Sequence, residues 1–207
     1  MKQIPMLLVL GLALSLCNLM NKSKNSGTSG SGSGSSSSSG GTVEKAEPTA
    51  AQTAALAGGQ TAKWDQQGMS WTVPAKWTQT ANEEKSFGWR SPGGDQAANL
   101  GVNISAMDES FPTDASIKAF YDGAKTRAKN GEVDEVKWLE IDGVKGVEFR
   151  ESNPKKADDF RRLQWLAYRK YAGQVQMVNV MLSTNGKGFP EHQDAMYGVL
   201  YSTKLVH

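Results

Sequence analysis

Two histidines, one cysteine and a few short acidic runs are the groups in this 207-residue chain best suited to chemistry. General-base work or metal binding near neutral pH favours imidazole, and only His192 and His207 supply it. His207 is the last residue. His192 stands three, four and seven positions before Ala195, Met196 and Val199, which places it on the packing face of a helix. No serine has the context of a nucleophile elbow. With a single cysteine, Cys17, an intrachain disulfide is impossible, and zinc lacks its usual Cys and His ligands. Glu132-Val-Asp-Glu135 has carboxylates for a hard cation but not the glycine and spacing of a calcium loop. It reads as charged loop surface, as do Asp108-Glu109 and Asp158-Asp159. Ser91-Pro-Gly-Gly94 and Asn185-Gly-Lys-Gly188 lack the Lys-Ser/Thr and the helix of a phosphate loop, so both read as plain turns. The expectation is a protein that is not an enzyme, with no cofactor and no metal.

Binding is the other chemistry that side chains can carry. Lys155, Lys156, Arg161 and Arg162 cluster around one loop, and Trp89-Arg90 sets an aromatic beside a base. Arg and Trp are over-represented where proteins touch partners or lipid headgroups, so these six residues are the candidate contact set. Asp158-Asp159 partly neutralises the loop. Charge elsewhere argues against nucleic acid: residues 1–61 carry four Lys and two Glu, whereas residues 62–207 carry nineteen basic and nineteen acidic residues. The excess positive charge belongs to the N-terminal stretch.

That stretch is a leader followed by a tether. Lys2 precedes an apolar run from Ile4 to Leu16, thirteen residues long. A bilayer-spanning helix needs about 20, so the run has the length of a secretory h-region. Leu14-Ser-Leu-Cys17 resembles the lipobox of bacterial lipoproteins, with Leu16 standing where that family prefers a small residue. The resemblance implies a signal peptide over 1–17 and acylation of Cys17, hence a membrane anchor in a bacterial cell envelope, outside the cytoplasm. Residues 18–61 follow as a flexible Gly/Ser/Ala-rich tether, since Ser26–Gly41 offers nothing to bury. Such a coil reaches on the order of 35–40 Å. Thr49–Ala57 has no apolar stripe and is read as part of the same linker.

The remaining residues, 62–207, must position the candidate set. Leu163–Tyr171 and Gln174–Leu182 flank Ala172-Gly173 as a hairpin, pairing Leu163 with Leu182, Trp165 with Val180 and Ala167 with Val178 on one face. Leu166 then meets Asn179 and Tyr168 meets Met177 on the other, so the pair is expected to be covered on both sides. Lys63–Val73 reads as a first hairpin, Phe87–Arg90 and Leu100–Ala106 as strands, and Val136–Phe149 as a hairpin about Asp142-Gly143. Thr113-Asp114 is the expected cap of a helix with Ile117, Phe120, Tyr121, Ala124 and Ala128 on one face. Pro190 opens a last helix. The sum is an α+β fold with a mostly antiparallel sheet of about 6–7 strands sandwiched by helices.

Met69-Ser-Trp-Thr-Val-Pro-Ala-Lys-Trp77, with Ile141-Asp-Gly143 after a mid-chain helix, resembles the PsbP-like or Mog-type α/β sandwich over residues 62–207. The resemblance implies an antiparallel sheet between helices and a non-catalytic docking role; the partner expected here is an unknown envelope protein, and the chain is expected to be a monomer. The alternative reading is a carrier that holds a small apolar ligand between sheet and helix through Trp165, Met177 and Met181.

Overall fold

The computed structural model describes residues 41–206, so Cys17, the leader, the first part of the tether and His207 lie outside the described residues. In chain order the elements are β1 (Val43–Lys45), α1 (Ala50–Ala55), β2 (Gln60–Trp64), β3 (Met69–Val73), β4 (Thr78–Asn82), β5 (Ser86–Arg90) and β6 (Asn99–Met107). Then come α2 (Thr113–Lys129), β7 (Val133–Ile141), β8 (Val144–Glu151), β9 (Phe160–Tyr171), β10 (Gln174–Asn185), α3 (Phe189–Tyr201) and β11 (Lys204–Leu205). All belong to the unit Gly40–His207. No helix among the described residues is long and apolar enough to cross a membrane.

Two-residue turns fix the long hairpins. Asp142 and Gly143 have φ of 49° and 83°, and Ala172 and Gly173 have 50° and 76°, the positive pair that matches the twist of the flanking strands. The second turn sets the β9–β10 register, with Leu163 opposite Leu182, Trp165 opposite Val180, Ala167 opposite Val178, Leu166 opposite Asn179 and Tyr168 opposite Met177, all as expected. The sheet grows outward from this pair in the order β1-β7-β8-β9-β10-β6-β5-β4, antiparallel except for β1 against β7. A second sheet, β11-β3-β2, brings the strand count among the described residues to eleven, more than the six or seven expected. The surplus strands are short or polar, and Thr78–Asn82 has no apolar alternation to announce it.

One face of the large sheet is covered across its centre. Leu163, Trp165, Ala167, Val178, Val180 and Leu182 are completely or almost completely buried beneath Trp64, Trp71 and Val73 of the small sheet and Met196, Val199 and Leu200 of α3. Trp77 is buried there too, as the anchor after Pro74. Phe87 stacks between Trp64 and Trp71, with ring centroids 5.5 and 5.2 Å away. The other face is covered only in part. There α2 packs on β7 and β8, where Ile117, Tyr121, Ala124 and Ala128 meet Val133, Trp138, Val147 and Phe149. Phe120 falls outside that contact and is exposed, and Pro112, not Thr113 or Asp114, occupies the cap position without a side-chain bond. Towards β10 and β6 the same face carries half-buried Gln164, Met177, Asn179 and Met181 and exposed Asn103. The double covering expected of the central hairpin is therefore complete on one side alone.

The N-terminal boundary also moves. Residues 43–61, expected in the tether, form β1, α1 and the start of β2. Thr49 and Gln52 make a reciprocal capping box, which explains how six residues with no apolar stripe hold a helical turn.

Candidate functional site

Strand alternation decides where each candidate side chain points. Trp89 pairs with Leu100 and packs against the core, whereas its neighbour Arg90 pairs with Asn99 and emerges on the opposite, partly open face. The two are adjacent in sequence and do not form one patch. Across the sheet, Arg90, Asn99, Ser183 and Arg162 stand in a single row through β5, β6, β10 and β9. Residues in such a row share a face, and neighbouring strands lie about 4.8 Å apart.

The row ends in a cleft of about 510 Å³ lined by Arg90, Asp95, Asn99, Asp158, Phe160 and Ser183 among others. Two loops form its walls, one fixed by the end of β10 and the other by the two residues that follow it. Thr184 donates its hydroxyl to the Gln96 carbonyl at 2.7 Å, and Asn185 Nδ2 donates to the Asp95 carbonyl at 3.2 Å, which seats the Gly94–Gln96 turn. On the other side the amides of Gly186 and Lys187 donate to the carbonyls of Asp159 and Ala157, both at 3.0 Å, and Lys187 Nζ lies 2.7 Å from Asp158. Phe160 stands at the start of β9 and is 56% exposed. Arg90 Nη2 donates to the Gly94 carbonyl at 2.6 Å, leaving its remaining N–H groups towards solvent.

The basic loop divides into two kinds of residue. Lys155 and Lys156 are exposed and make no ion pair among the described residues. Arg161 is buried: it donates to the Glu151 carbonyl at 2.8 Å, pairs with Asp134, and lies 4.0 Å over the Phe189 ring. Arg162 is half-buried, with Nη1 3.2 Å from both Glu151 oxygens. The two arginines hold the loop to the sheet. The structure thus brings Arg90 to the same cleft as Asp158 and Phe160, and leaves Trp89 in the core. The carrier trio does not converge, since Trp165 is buried on the covered face while Met177 and Met181 lie on the other. His192 is half-buried in the first turn of α3.

Sequence reasoning passed over a second constellation. Asp134 and Glu135, read as loop surface, stand on β7, with Lys137 opposite Glu148 and Glu135 opposite Arg150 of β8. Lys137 Nζ lies 3.2 Å from Glu135 and 3.3 Å from Glu148, and Arg150 lies 2.7 Å from Asp134 and 3.2 Å from Glu135. Helix α3 closes the group from above: the Tyr197 hydroxyl donates to Glu135 at 2.6 Å, and Lys137 donates to the Tyr201 hydroxyl at 3.2 Å. Glu148 is fully buried, and neither of its oxygens accepts a well-directed hydrogen bond. Burial pushes its carboxyl up to about 7 against the pull of Lys137. Burial works the same way on Glu135, but the Tyr197 hydroxyl and the Lys137 ammonium hold that carboxyl below its ordinary value. Counting outward from the Asp142-Gly143 turn would have exposed these opposite-charge pairs in the sequence. The cluster binds α3 to the sheet through ion pairs and hydroxyls already engaged with each other.

No protein-family model matches the chain, and no curated protein does. Among solved structures, LpqN, involved in cell envelope biogenesis of Mycobacterium tuberculosis, is similar at a TM-score of 0.52 and 9% identity, over 72% of this chain and 86% of its own. Cyanobacterial PsbP (CyanoP) from Synechocystis sp. PCC 6803 is similar at 0.45 and 14% identity, over 71% and 92%. The Saccharomyces cerevisiae Ran-binding protein Mog1p is similar at 0.42 and 9% identity, over 72% and 95%. A Bacteroides thetaiotaomicron structure is matched over 46% of its length, so the chain spans about half of that protein. The likeness to LpqN is one of fold, and a PsbP- or Mog-like fold is what the sequence led one to expect.

Proposed function

We propose that this chain is a cell-envelope lipoprotein, held at a membrane through an acylated Cys17, whose folded domain docks a protein partner and catalyses nothing. The observation that carries the docking reading is the Phe160 ring, exposed at the rim of a cleft whose walls are pinned by the end of β10 and the two residues after it. Aromatic and arginine side chains are enriched among the few residues that carry most of the binding energy in protein interfaces. Arg90 is the arginine of this cleft. Lys155 and Lys156, exposed on the loop that carries Asp158, steer an acidic partner towards the cleft. Arg161 and Arg162 act indirectly, by holding the loop. The description of LpqN as involved in cell envelope biogenesis accords with an envelope location for a chain of the same fold.

A photo-crosslinking residue placed at position 160 tests the site in intact cells, with Asn103 on the open sheet face as the control. The reading expects a discrete adduct from position 160 that is lost on Arg90→Ser, and none from position 103. Equal labelling from both positions would overturn it. Fractionation of Cys17→Ser tests the anchor separately: the protein should leave the membrane fraction or accumulate with its leader uncleaved. Normal processing with unchanged membrane retention would remove the lipid anchor.

A further inference from the structure

The large sheet has two edges, and they are treated differently. At one, β4 is a polar five-residue strand with a bulge between Gln79 and Ala81, a combination that discourages further pairing. At the other, among the described residues, the nine-residue β7 is covered only across Trp138–Glu140, by the three residues of β1. Val43 pairs with Trp138, Glu44 with Leu139 and Lys45 with Glu140, and the Ala46 amide donates to the Glu140 carbonyl at 2.9 Å. Val43 packs half-buried on the Trp138 cluster, and Glu44 lies 3.5 Å from Lys137 Nζ. Helix α1 then rests on α3 where Gly198 lacks a side chain: a β-carbon there would lie 2.8 Å from the Gln52 carbonyl oxygen.

This segment is lightly held. No residue from 41 to 57 is fully buried, in contrast to the hairpin partners Trp165 and Val180. Gly58-Gly59 separates it from β2, and Gly58 has φ +69°, a conformation that gives a natural pivot. Segments with few buried contacts open first, well below the free energy of global unfolding. When this one opens, the backbone groups of β7 that face β1, the Glu140 carbonyl among them, lose their partners, while those facing β8 stay paired.

We propose that the edge of β7 is a strand-addition site for an extended segment of a protein partner, and that residues 41–57 occupy it as an exchangeable strap. The present occupant defines what the site recognises. A fitting segment runs parallel to β7, places an apolar residue over Trp138, and follows it with an acidic residue that faces Lys137. Main-chain pairing supplies the affinity and these two side chains the selectivity. The site stands at the opposite end of the strand order from β5 and does not depend on the docking cleft.

The test uses the full-length protein and a fluorescein-labelled synthetic peptide of residues 41–57. In Val43→Asp/Leu56→Asp the strap should open, and a site freed of its internal competitor should bind the peptide at least about tenfold more tightly than wild type. A peptide with Lys in place of Glu44 should bind more weakly than the parent. Hydrogen exchange of wild type should show Val43–Ala46 opening faster than the β9–β10 core, and in the variant the peptide should restore protection at Trp138–Glu140. The proposal is overturned if Val43–Ala46 exchange as slowly as that core, or if the variant, folded by near-ultraviolet circular dichroism, binds no more peptide than wild type. Concentration-dependent dimers that the peptide dissolves would replace it with exchange between copies of this chain.

Discussion

The indole of Trp165 lies across β8 where residue 146 has no side chain: a β-carbon on Gly146 would stand 2.5 Å from Trp165 Nε1. The ring crosses at that point to donate Nε1–H to the Leu139 carbonyl at 3.2 Å, tying β9 to β7 over the intervening strand. Gly146→Ala should therefore push the ring from its seat and destabilise the domain by about 1–3 kcal/mol or more. Trp165→Ala should cost about 3–5 kcal/mol through the cavity it leaves. Urea denaturation of each variant and of the pair checks this. A smaller ring relieves the indole's share of the clash but not the 2.6 Å approach to the Leu166 carbonyl oxygen, so Gly146→Ala in a Trp165→Phe background should cost less than in wild type and still destabilise.

The central turn offers the opposite sign. Ala172 holds φ at 50°, a left-handed conformation that costs an alanine roughly 1 kcal/mol relative to residues that adopt it readily. Asn at this position, followed by Gly173, is the preferred pair for such a turn. Ala172→Asn should thus raise the urea midpoint, by about 0.5–1 kcal/mol in stability, without changing the slope of the transition. A lower midpoint would mean that the turn is not of this type in solution.

Much of this architecture was legible because turns and alternation are local signals. Asp142-Gly143 and Ala172-Gly173 fixed two registers, and the apolar residues between them fixed the covered face. What escaped were elements stabilised by distant partners. Val43–Lys45 is a strand only because β7 is beside it, and Ala50–Ala55 is helical only with its capping box and a seat on Gly198. The contact set suffered from the same cause. Arg161 and Arg162 look free in sequence and are engaged by Asp134 and Glu151, residues that the fold brings from other strands. Phe160, the exposed ring, gave no signal, because one apolar residue ahead of a strand is ordinary.

Glu148 makes stability depend on pH with a definite sign. Its folded-state carboxyl titrates at about 7 instead of 4.5, so the folded protein binds the proton more tightly than the unfolded chain. The contribution is fully present below about 4.5 and is lost as pH rises towards 7, on the order of 3 kcal/mol in total. Glu135 is shifted the other way and acts at more acidic pH, as its contribution is lost when pH falls through its lowered value. Between pH 5 and 7.5 the stability of wild type should accordingly decline. Glu148→Gln, which cannot ionise, should flatten that decline and be the more stable protein at pH 8. A wild-type profile that climbs with pH across this range would show that Lys137 outweighs burial at Glu148.

The cleft and the arginines behind it separate binding from folding. Phe160 is exposed and Arg90 reaches only the Gly94 carbonyl, so Phe160→Ala and Arg90→Ser should shift stability by no more than about 0.5 kcal/mol. Arg161→Ala differs in kind. It strips a buried cation from the Glu151 carbonyl and from the face of Phe189 and leaves Asp134 to Arg150 alone, and should cost about 1–3 kcal/mol. Partner capture should follow the reverse order among variants that remain folded. Phe160→Ala should weaken it most, since truncating a central aromatic removes about 2 kcal/mol or more, and Lys155→Ser/Lys156→Ser should mainly slow association and reduce its salt dependence. The measurements are urea denaturation for each variant beside association kinetics at two ionic strengths, using the partner identified by crosslinking at position 160. If Phe160→Ala binds as wild type does while the lysine pair alone abolishes capture, the contact lies on the basic loop and the cleft is only its neighbour. If Arg161→Ala is as stable as wild type, the loop is held by the Lys187–Asp158 pair and the amides of Gly186 and Lys187, and the arginine is released to serve as a contact after all.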